Sequence, residues 1–148
     1  MFPKNKEIEE ITHEKVSLEI YKKKTFDINF SLGLIHYKEA NEKNFYEEIK
    51  RNLKRTDHVA MINEKTICIL FRYTEVINAE KGMYRIFEKY SPGDKYHFIG
   101  SVIQIKKGIQ EKDLIRLAIA GLRDADFEGY QNIKVVESHS IEETSLFN

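Results

Sequence analysis

The sequence predicts an α+β protein in which helices cover a sheet of several strands. Residues 57–72, with the sequence DHVAMINEKTICILFR, contain two apolar strands joined by a short polar turn at 63–65. Apolar and polar side chains alternate along residues 26–34, which is the pattern of a strand with one apolar face. Segments with helical spacing lie before, between and after these strands.

The first half of the chain provides a helix, a strand and a second helix before the hairpin. Residues 6–23 carry apolar side chains among charges and predict an amphipathic helix, with an interruption near Thr12 and His13 left open. The alternation predicts a first strand over 26–36. Asn41 suits the N-cap of a helix over 42–55, whose buried stripe is marked by apolar residues at every fourth position, namely Phe45, Ile49 and Leu53.

The second half repeats the pattern of helix and strand. Asn78 suits the N-cap of a helix that ends near Tyr90, and the Pro and Gly of 91–94 predict a turn. A strand over 96–105 and a helix over 111–126, with Gly129 just beyond its end, follow. A short strand over 133–136 completes the prediction.

These elements have the order αβαββαβαβ. Without the first helix they form βαββαβ, the ferredoxin-like arrangement, followed by an extra αβ unit. In its usual strand order the first strand lies antiparallel to the third. The end of the first strand, near 33–36, then meets the hairpin turn at 63–65, and we expect any functional site at that meeting point.

Length and composition restrict the class of protein. The 148 residues suit one domain, and 24 basic residues balance 24 acidic ones, so no global positive field favours nucleic acid or an anionic membrane. The single cysteine, Cys68, excludes an internal disulfide. No signal peptide or apolar membrane span is visible. We therefore expect a cytoplasmic protein without nucleic-acid or membrane partners.

Two stretches resemble the GGDEF domains, the diguanylate cyclases. The sequence GLIHYKEAN at 33–41 is similar to the family pattern D-x-D-x-F-K-x-x-N and keeps the aromatic residue, the Lys and the Asn. Residues 54–70 are similar to R-x-x-D-x-V-A-R-x-G-G-D-E-F-x-x-x-L. The resemblance spans about 14–136. It implies a nucleotidyl-cyclase palm fold with an N-terminal helix and an extra αβ unit, in a single domain over 1–148.

The departures from the family pattern all affect chemistry. In the family, two Asp on the first strand and an acidic signature residue hold Mg²⁺ on GTP, but here the strand positions are Gly33 and Ile35. The degenerate signature comprises Asn63, Glu64, Lys65, Thr66 and Ile67. Asp126 replaces a late phosphate-contacting Lys. The resemblance therefore implies a catalytically inactive regulatory domain with no metal and no cofactor.

Two groups of residues have both a structural and a nucleotide-binding interpretation. Asn41 matches a guanine-contacting Asn of the family, although an N-cap role explains it fully. Lys54 and Asp57 stand where the family carries an R-x-x-D site for cyclic di-GMP, and Arg55 offers a guanidinium one position later. Of the two interpretations of Lys54, Arg55 and Asp57, a solvated helix end is the favoured one. The five histidines show no metal-ligand spacing.

The favoured function is protein–protein interaction, with a protein partner or a homodimer. Gly33 and Ile35 stand where charge would be expected. Ile35 and Tyr37, with Met61 or Ile62 nearby, suggest an apolar patch that serves as an interface. The alternative for Ile35 is burial under the N-terminal helix. Two further functions stay open, namely a nucleotide effector that binds cyclic di-GMP or GTP without turnover and a residual nucleotidyl cyclase.

Overall fold

The elements follow the predicted order along the chain. The computed structural model describes residues 2–38, 45–90, 97–129 and 131–137. Its elements are α1 (Asn5–Phe26), β1 (Phe30–Lys38), α2 (Phe45–Arg51), β2 (His58–Asn63), β3 (Thr66–Arg72), α3 (Val76–Tyr90), β4 (His97–Gln104), α4 (Glu111–Glu128) and β5 (Asn132–Val136). The expected N-cap at Asn41 and the turn at 91–94 lie outside the described residues.

One five-stranded sheet has the order β2-β3-β1-β4-β5. The central strand β1 is antiparallel to both β3 and β4, with Ile35 opposite Ile67 and Gly100. Strand β2 pairs antiparallel with β3, and β5 pairs parallel with β4. The predicted ferredoxin-like order and the extra αβ unit are therefore confirmed.

Helices cover both faces of the sheet. Leu32, Leu34 and Cys68 face a core that includes residues of α1 and α4, whereas Ile35 and Ile67 face a core that includes residues of α2 and α3. Every residue of β1 from Phe30 to Tyr37 is buried. The predicted polar face of the first strand is thus wrong, because a central strand covered on both faces has no solvent side.

The first strand also begins later than the alternation predicts. Helix α1 continues without interruption through Thr12 and His13 to Phe26. Asp27 ends it with φ 55°, and the Asp27 backbone N–H donates to the Lys23 carbonyl over 3.1 Å. The alternating apolar positions at 26 and 28 therefore precede β1.

Two other boundaries differ from the prediction. Helix α2 ends at Arg51, where the Asn52 N–H donates to the Ile49 carbonyl over 2.9 Å in a tighter turn. Helix α3 begins at Val76, so Asn78 lies inside its first turn and is not the N-cap. Within the described residues, no helix combines the length and apolar character that crossing a bilayer requires.

Candidate functional site

The end of β1 meets the hairpin turn through Tyr37. The Tyr37 backbone N–H donates to the Lys65 carbonyl over 3.0 Å, and the Tyr37 hydroxyl donates to the Glu64 carbonyl over 2.8 Å. Burial, followed by the Glu64 carboxylate, raises the pKa of Tyr37 above its ordinary value. The predicted contact between the end of β1 and the hairpin turn is confirmed, and Tyr37 fixes the turn through both hydrogen bonds.

The degenerate signature divides into an exposed tip and a buried stem. Glu64 and Lys65 are exposed at the turn, and the Lys65 backbone N–H donates to the Asn63 side-chain oxygen over 2.9 Å. Thr66 and Ile67 are fully buried. Thus only two of the five signature side chains lie free at the tip, and one of these is a cation.

A buried histidine connects the signature to the N-terminal segment. His36 Nδ1 lies 2.9 Å from the Thr66 hydroxyl, and the His36 side chain is 1% exposed. The ring of Phe2 contacts the His36 ring edge to face, with centroids 4.7 Å apart. Sequence reasoning missed this contact, because nothing in the spacing of residues 2 and 36 indicates that the segment before α1 reaches the hairpin.

Ile35 and Tyr37 do not form the expected exposed patch. Ile35 is fully buried and Tyr37 is 4% exposed. Ile35 packs in the core that contains Ile49 of α2 and Met83 of α3, so the alternative of cover by the N-terminal helix is also wrong. Met61 is exposed, whereas Ile62 is buried, which leaves no continuous apolar surface among these four residues.

A second group of predicted residues lies between α2 and β2. The backbone N–H of Lys54 donates to an Asp57 carboxylate oxygen over 3.0 Å, and the Asp57 N–H donates to the Lys54 carbonyl over 3.0 Å. Burial is the main cause of the raised pKa of the Asp57 carboxyl, and it is opposed by the N–H and charge of Lys54. Asp57 therefore has a structural role, because its backbone and its side chain both close the turn with Lys54.

This turn borders a cavity of about 330 Å³ beside α3. Lys54 and Asp57 line it from one side, and Asn78, Arg85 and Lys89 line it from the other. The Lys89 ammonium donates to the Asn52 side-chain oxygen over 2.8 Å, whereas Arg85 makes no ion pair within the described part of the chain. Arg55 lines a neighbouring depression together with Lys50 and His58.

Arg85 and Lys89 are the residues that sequence reasoning missed here. Their spacing of four places both on one side of α3, but that spacing is also typical of a solvated helix face. Only the packing of α3 beside the turn before β2 brings them to Lys54. Burial followed by the charges of Lys15, Arg72 and Lys50 lowers the pKa of nearby His58.

Solved structures with the same architecture identify the fold. The chain superimposes on the GGDEF domain of DgcB from Caulobacter crescentus in complex with cyclic di-GMP, with a TM-score of 0.73 and 9% identity over 83% of this chain and 86% of that one. It superimposes on the active GGEEF domain of a diguanylate cyclase from Vibrio cholerae with a TM-score of 0.70 and 11% identity, over 83% and 95%. The fold is that of GGDEF domains.

A third similar structure was solved together with a protein partner of its own. The diguanylate cyclase SiaD from Pseudomonas aeruginosa, solved in complex with its activator SiaC, matches with a TM-score of 0.73 and 13% identity over 83% of this chain and 56% of SiaD. No family model and no curated protein sequence matches this chain. These three structures therefore share the GGDEF fold with this chain. At sequence identities of 9–13% they do not show that it shares their chemistry.

The residues at which the sequence resemblance implies a metal site do not fit a divalent cation. A Cβ atom at Gly33 would lie 2.9 Å from the Met83 sulfur and 3.0 Å from the Phe71 ring. Ile35 is fully buried against apolar side chains, and Lys65 brings a positive charge to the turn. Mg²⁺ requires oxygen ligands, and a thioether, a phenyl ring and an aliphatic side chain supply none.

Proposed function

We propose that this chain is a catalytically inactive GGDEF-like domain that regulates by binding another protein. The observation that carries the proposal is the packing of Met83 and Phe71 against Gly33, where the resemblance implies a metal-binding carboxylate. Apolar side chains fill this part of the α3 side of the sheet, which is expected of a core rather than of a site that accepts a triphosphate.

The charges at the hairpin support inactivity. Phosphoryl transfer from GTP depends on cations that neutralise the triphosphate and on carboxylates that hold those cations. Lys65 places a positive charge at the turn, which opposes the binding of a divalent metal ion. Neither Gly33 nor Ile35 carries a carboxylate that could hold such an ion. Within the part of the chain that the structure describes, no group of three or more His, Cys, Asp or Glu side chains converges to hold a metal elsewhere.

A GTP turnover assay tests the proposed inactivity. The purified chain is incubated with GTP and Mg²⁺ or Mn²⁺, with the active GGEEF domain from Vibrio cholerae as the positive control. We expect no pyrophosphate and no cyclic di-GMP from this chain. Turnover that Lys65→Ala or Thr66→Ala changes would overturn the proposal in favour of a residual nucleotidyl cyclase that uses the hairpin.

Protein binding is the favoured mode of action because large apolar side chains remain exposed on the folded domain. Ile11, Leu18 and Tyr21 of α1 and Phe127 of α4 are between 44% and 94% exposed. Apolar surface of this kind is typical of protein contacts when it is contiguous. The SiaD–SiaC complex provides a precedent for a protein partner on this fold.

A second candidate is a nucleotide effector that binds cyclic di-GMP or GTP without turnover. The cavity that brings Lys54 and Lys89 to the guanidinium of Arg85 favours it. A guanidinium can donate two parallel hydrogen bonds to a phosphate or to the edge of guanine. Asp57 lines the same cavity, but its carboxylate already accepts from the turn, so it offers less to a ligand than the three cations do.

Thermal shift and calorimetry with cyclic di-GMP and GTP, without metal, distinguish the two candidates. Ligand at one hundred times its dissociation constant adds about 2.7 kcal/mol of stability. If the effector candidate holds, the shift is lost in Arg85→Ala and kept in Arg123→Ala, which removes an exposed cation of α4. No shift with either nucleotide leaves protein binding as the function.

A further inference from the structure

Positively charged side chains surround the start of β2, which is an edge strand of the sheet. His58 is the first residue of β2 and is half-buried. The pKa of its imidazole is lowered by burial first and then by the charges of Lys15, Arg72 and Lys50. Arg55 follows α2 and lines the depression of about 320 Å³ that also contains Lys50. Helices α1 and α2 and strand β3 therefore each bring a cation to this edge.

Two carboxylates of this region already have partners within the chain. Glu19 is 1% exposed and forms an ion pair with Arg72. Asp57 is the carboxylate among the described residues that line the depression, and it accepts the Lys54 backbone N–H over 3.0 Å. Three exposed cations around His58 form no ion pair within the described part of the chain, namely Lys15, Lys50 and Arg55. These three residues form the basic edge, whose positive charge is available to a partner.

The aromatic ring beside the basic edge is not free to stack on a base. The Tyr46 hydroxyl donates to the Val59 carbonyl over 3.2 Å, and the Lys50 ammonium lies 6.0 Å from the centroid of the Tyr46 ring. Proteins that bind single-stranded nucleic acid combine cations with rings on which bases stack, and those that bind duplexes often make about 6–10 phosphate contacts. Three cations beside an occupied ring therefore suit carboxylates better than nucleic acid.

The outer side of β2 is unsuited to the addition of a further strand. Edge strands can pair with a segment of another protein through free backbone groups. Here the Tyr46 hydroxyl occupies the Val59 carbonyl, and the pairing of β2 with β3 shifts in register between Met61 and Asn63. Such irregularities twist an edge away from a straight partner strand. A partner at this edge is therefore held by its side chains.

We propose that the basic edge binds an acidic, extended segment of a partner protein through the carboxylates of that segment. The Arg55 guanidinium can donate two parallel hydrogen bonds to one carboxylate, and Lys50 attracts a second. Lys15 lies on α1, and α1 and α2 cover opposite faces of the sheet, so the segment crosses the edge from one face to the other. This inference rests on the proposed function, because it gives the chemistry of the protein partner.

Fluorescence anisotropy of the full chain with a labelled peptide of ten glutamates tests the proposal. The double variant Lys50→Glu with Arg55→Glu reverses two charges of the basic edge, and the matched control Lys112→Glu with Arg123→Glu reverses two exposed charges of α4. Both lower the net charge equally, so a difference between them is local. We expect the first to raise the dissociation constant at least tenfold and the control to change it less than about twofold.

Salt and circular dichroism complete this measurement. Because the basic edge is exposed, we expect peptide binding to weaken as salt concentration rises. Circular dichroism checks that both double variants stay folded. A wild-type chain that does not bind the peptide, or equal losses of affinity in the two folded double variants, overturns the proposal.

Further measurements separate this proposal from its alternatives. Lys15→Glu should also weaken peptide binding, and an unchanged dissociation constant would contradict the crossing to α1. An RNA of ten uridines that binds more tightly than the peptide, and that Lys50→Glu with Arg55→Glu releases, would overturn the proposal in favour of nucleic acid. Neither Lys50 nor Arg55 lines the cavity that contains Arg85, so Arg85→Ala measures nucleotide binding separately. GTP turnover would contradict the proposed inactivity and leave the peptide result unchanged.

Discussion

Two glycines determine how the α3 side of the sheet is packed. Gly33 of β1 and Gly100 of β4 both leave room for Met83, whose terminal atoms lie within 2.9 Å of where their Cβ atoms would be. A thioether fits such irregular space because its side chain is unbranched and adaptable. The identity of residue 33 therefore decides whether this part of the fold is a core or a polar site.

Substitution of Gly33 should be destabilising in proportion to size and charge. We expect Gly33→Ala to cost about 1 kcal/mol of unfolding free energy, because Met83 can move, and Gly33→Asp to cost at least 3 kcal/mol, because it also buries a carboxylate. Urea denaturation measures both values. Met83→Ala should make Gly33→Ala less costly. A Gly33→Asp variant that is as stable as the wild type would contradict the packing argument.

Cys68 should be an unreactive thiol whose ionisation limits stability at high pH. Burial raises its pKa from 9.0 to about 12. The unfolded chain ionises at lower pH than the folded chain, so this contribution is fully present below pH 9 and lost as pH rises toward 12. The slope is at most about 1.4 kcal/mol per pH unit.

Comparison with Cys68→Ala isolates the effect, because Tyr and Lys ionise in the same range. We expect unfolding free energy to fall more steeply above pH 9 in the wild type than in the variant. We also expect a maleimide to react with native Cys68 only at the rate of unfolding. Equal slopes, or rapid labelling of the native chain, would show that the thiol is accessible.

At the scale of elements, α1 is tied to β3 by a buried ion pair. Glu19 is 1% exposed, and one of its carboxylate oxygens lies 2.5 Å from Arg72 Nε and 3.4 Å from the Lys22 ammonium. Arg72, which is 24% exposed, can reach water, whereas Glu19 cannot. If Glu19 is removed, Arg72 can therefore be solvated by water. If Arg72 is removed, the Glu19 carboxylate cannot.

Arg72→Met should cost more stability than Glu19→Gln. The first leaves a buried carboxylate with only Lys22 nearby, which costs roughly 3–5 kcal/mol. The second leaves a cation that can be solvated, and we expect a cost of about 1–2 kcal/mol. Chemical denaturation of both variants and of the double variant gives the coupling. If the two single variants lose equal unfolding free energy and the double variant loses their sum, Glu19 is solvated in the folded chain and the pair is not coupled.

Most elements could be predicted from local patterns, because hairpin, turn and helix signals depend on neighbouring residues. The start of β1 could not, because the alternation begins inside α1 at residue 26, and the left-handed conformation of Asp27 ends the helix three residues before β1 begins. The burial of Ile35 could not be predicted either, since it depends on which helices cover the sheet. The cavity between Lys54 and Arg85 depends on the same long-range packing.

At the scale of the whole molecule, charge balance controls solubility. The chain carries 24 basic and 24 acidic residues, with an isoelectric point of about 7.0. Molecules without net charge repel one another least, so we expect solubility to be lowest near pH 7. The net charge becomes positive below the isoelectric point and negative above it, so solubility should rise on both sides.

Precipitation midpoints in polyethylene glycol between pH 5.5 and 8.5 measure this minimum. Lys112→Glu changes an exposed residue of α4 and lowers the net charge by two, because it removes one positive charge and adds one negative charge, so the minimum should move to lower pH. Lys112→Arg keeps the charge and should leave the minimum in place. If both variants precipitate as the wild type does, a local attractive surface rather than net charge controls association.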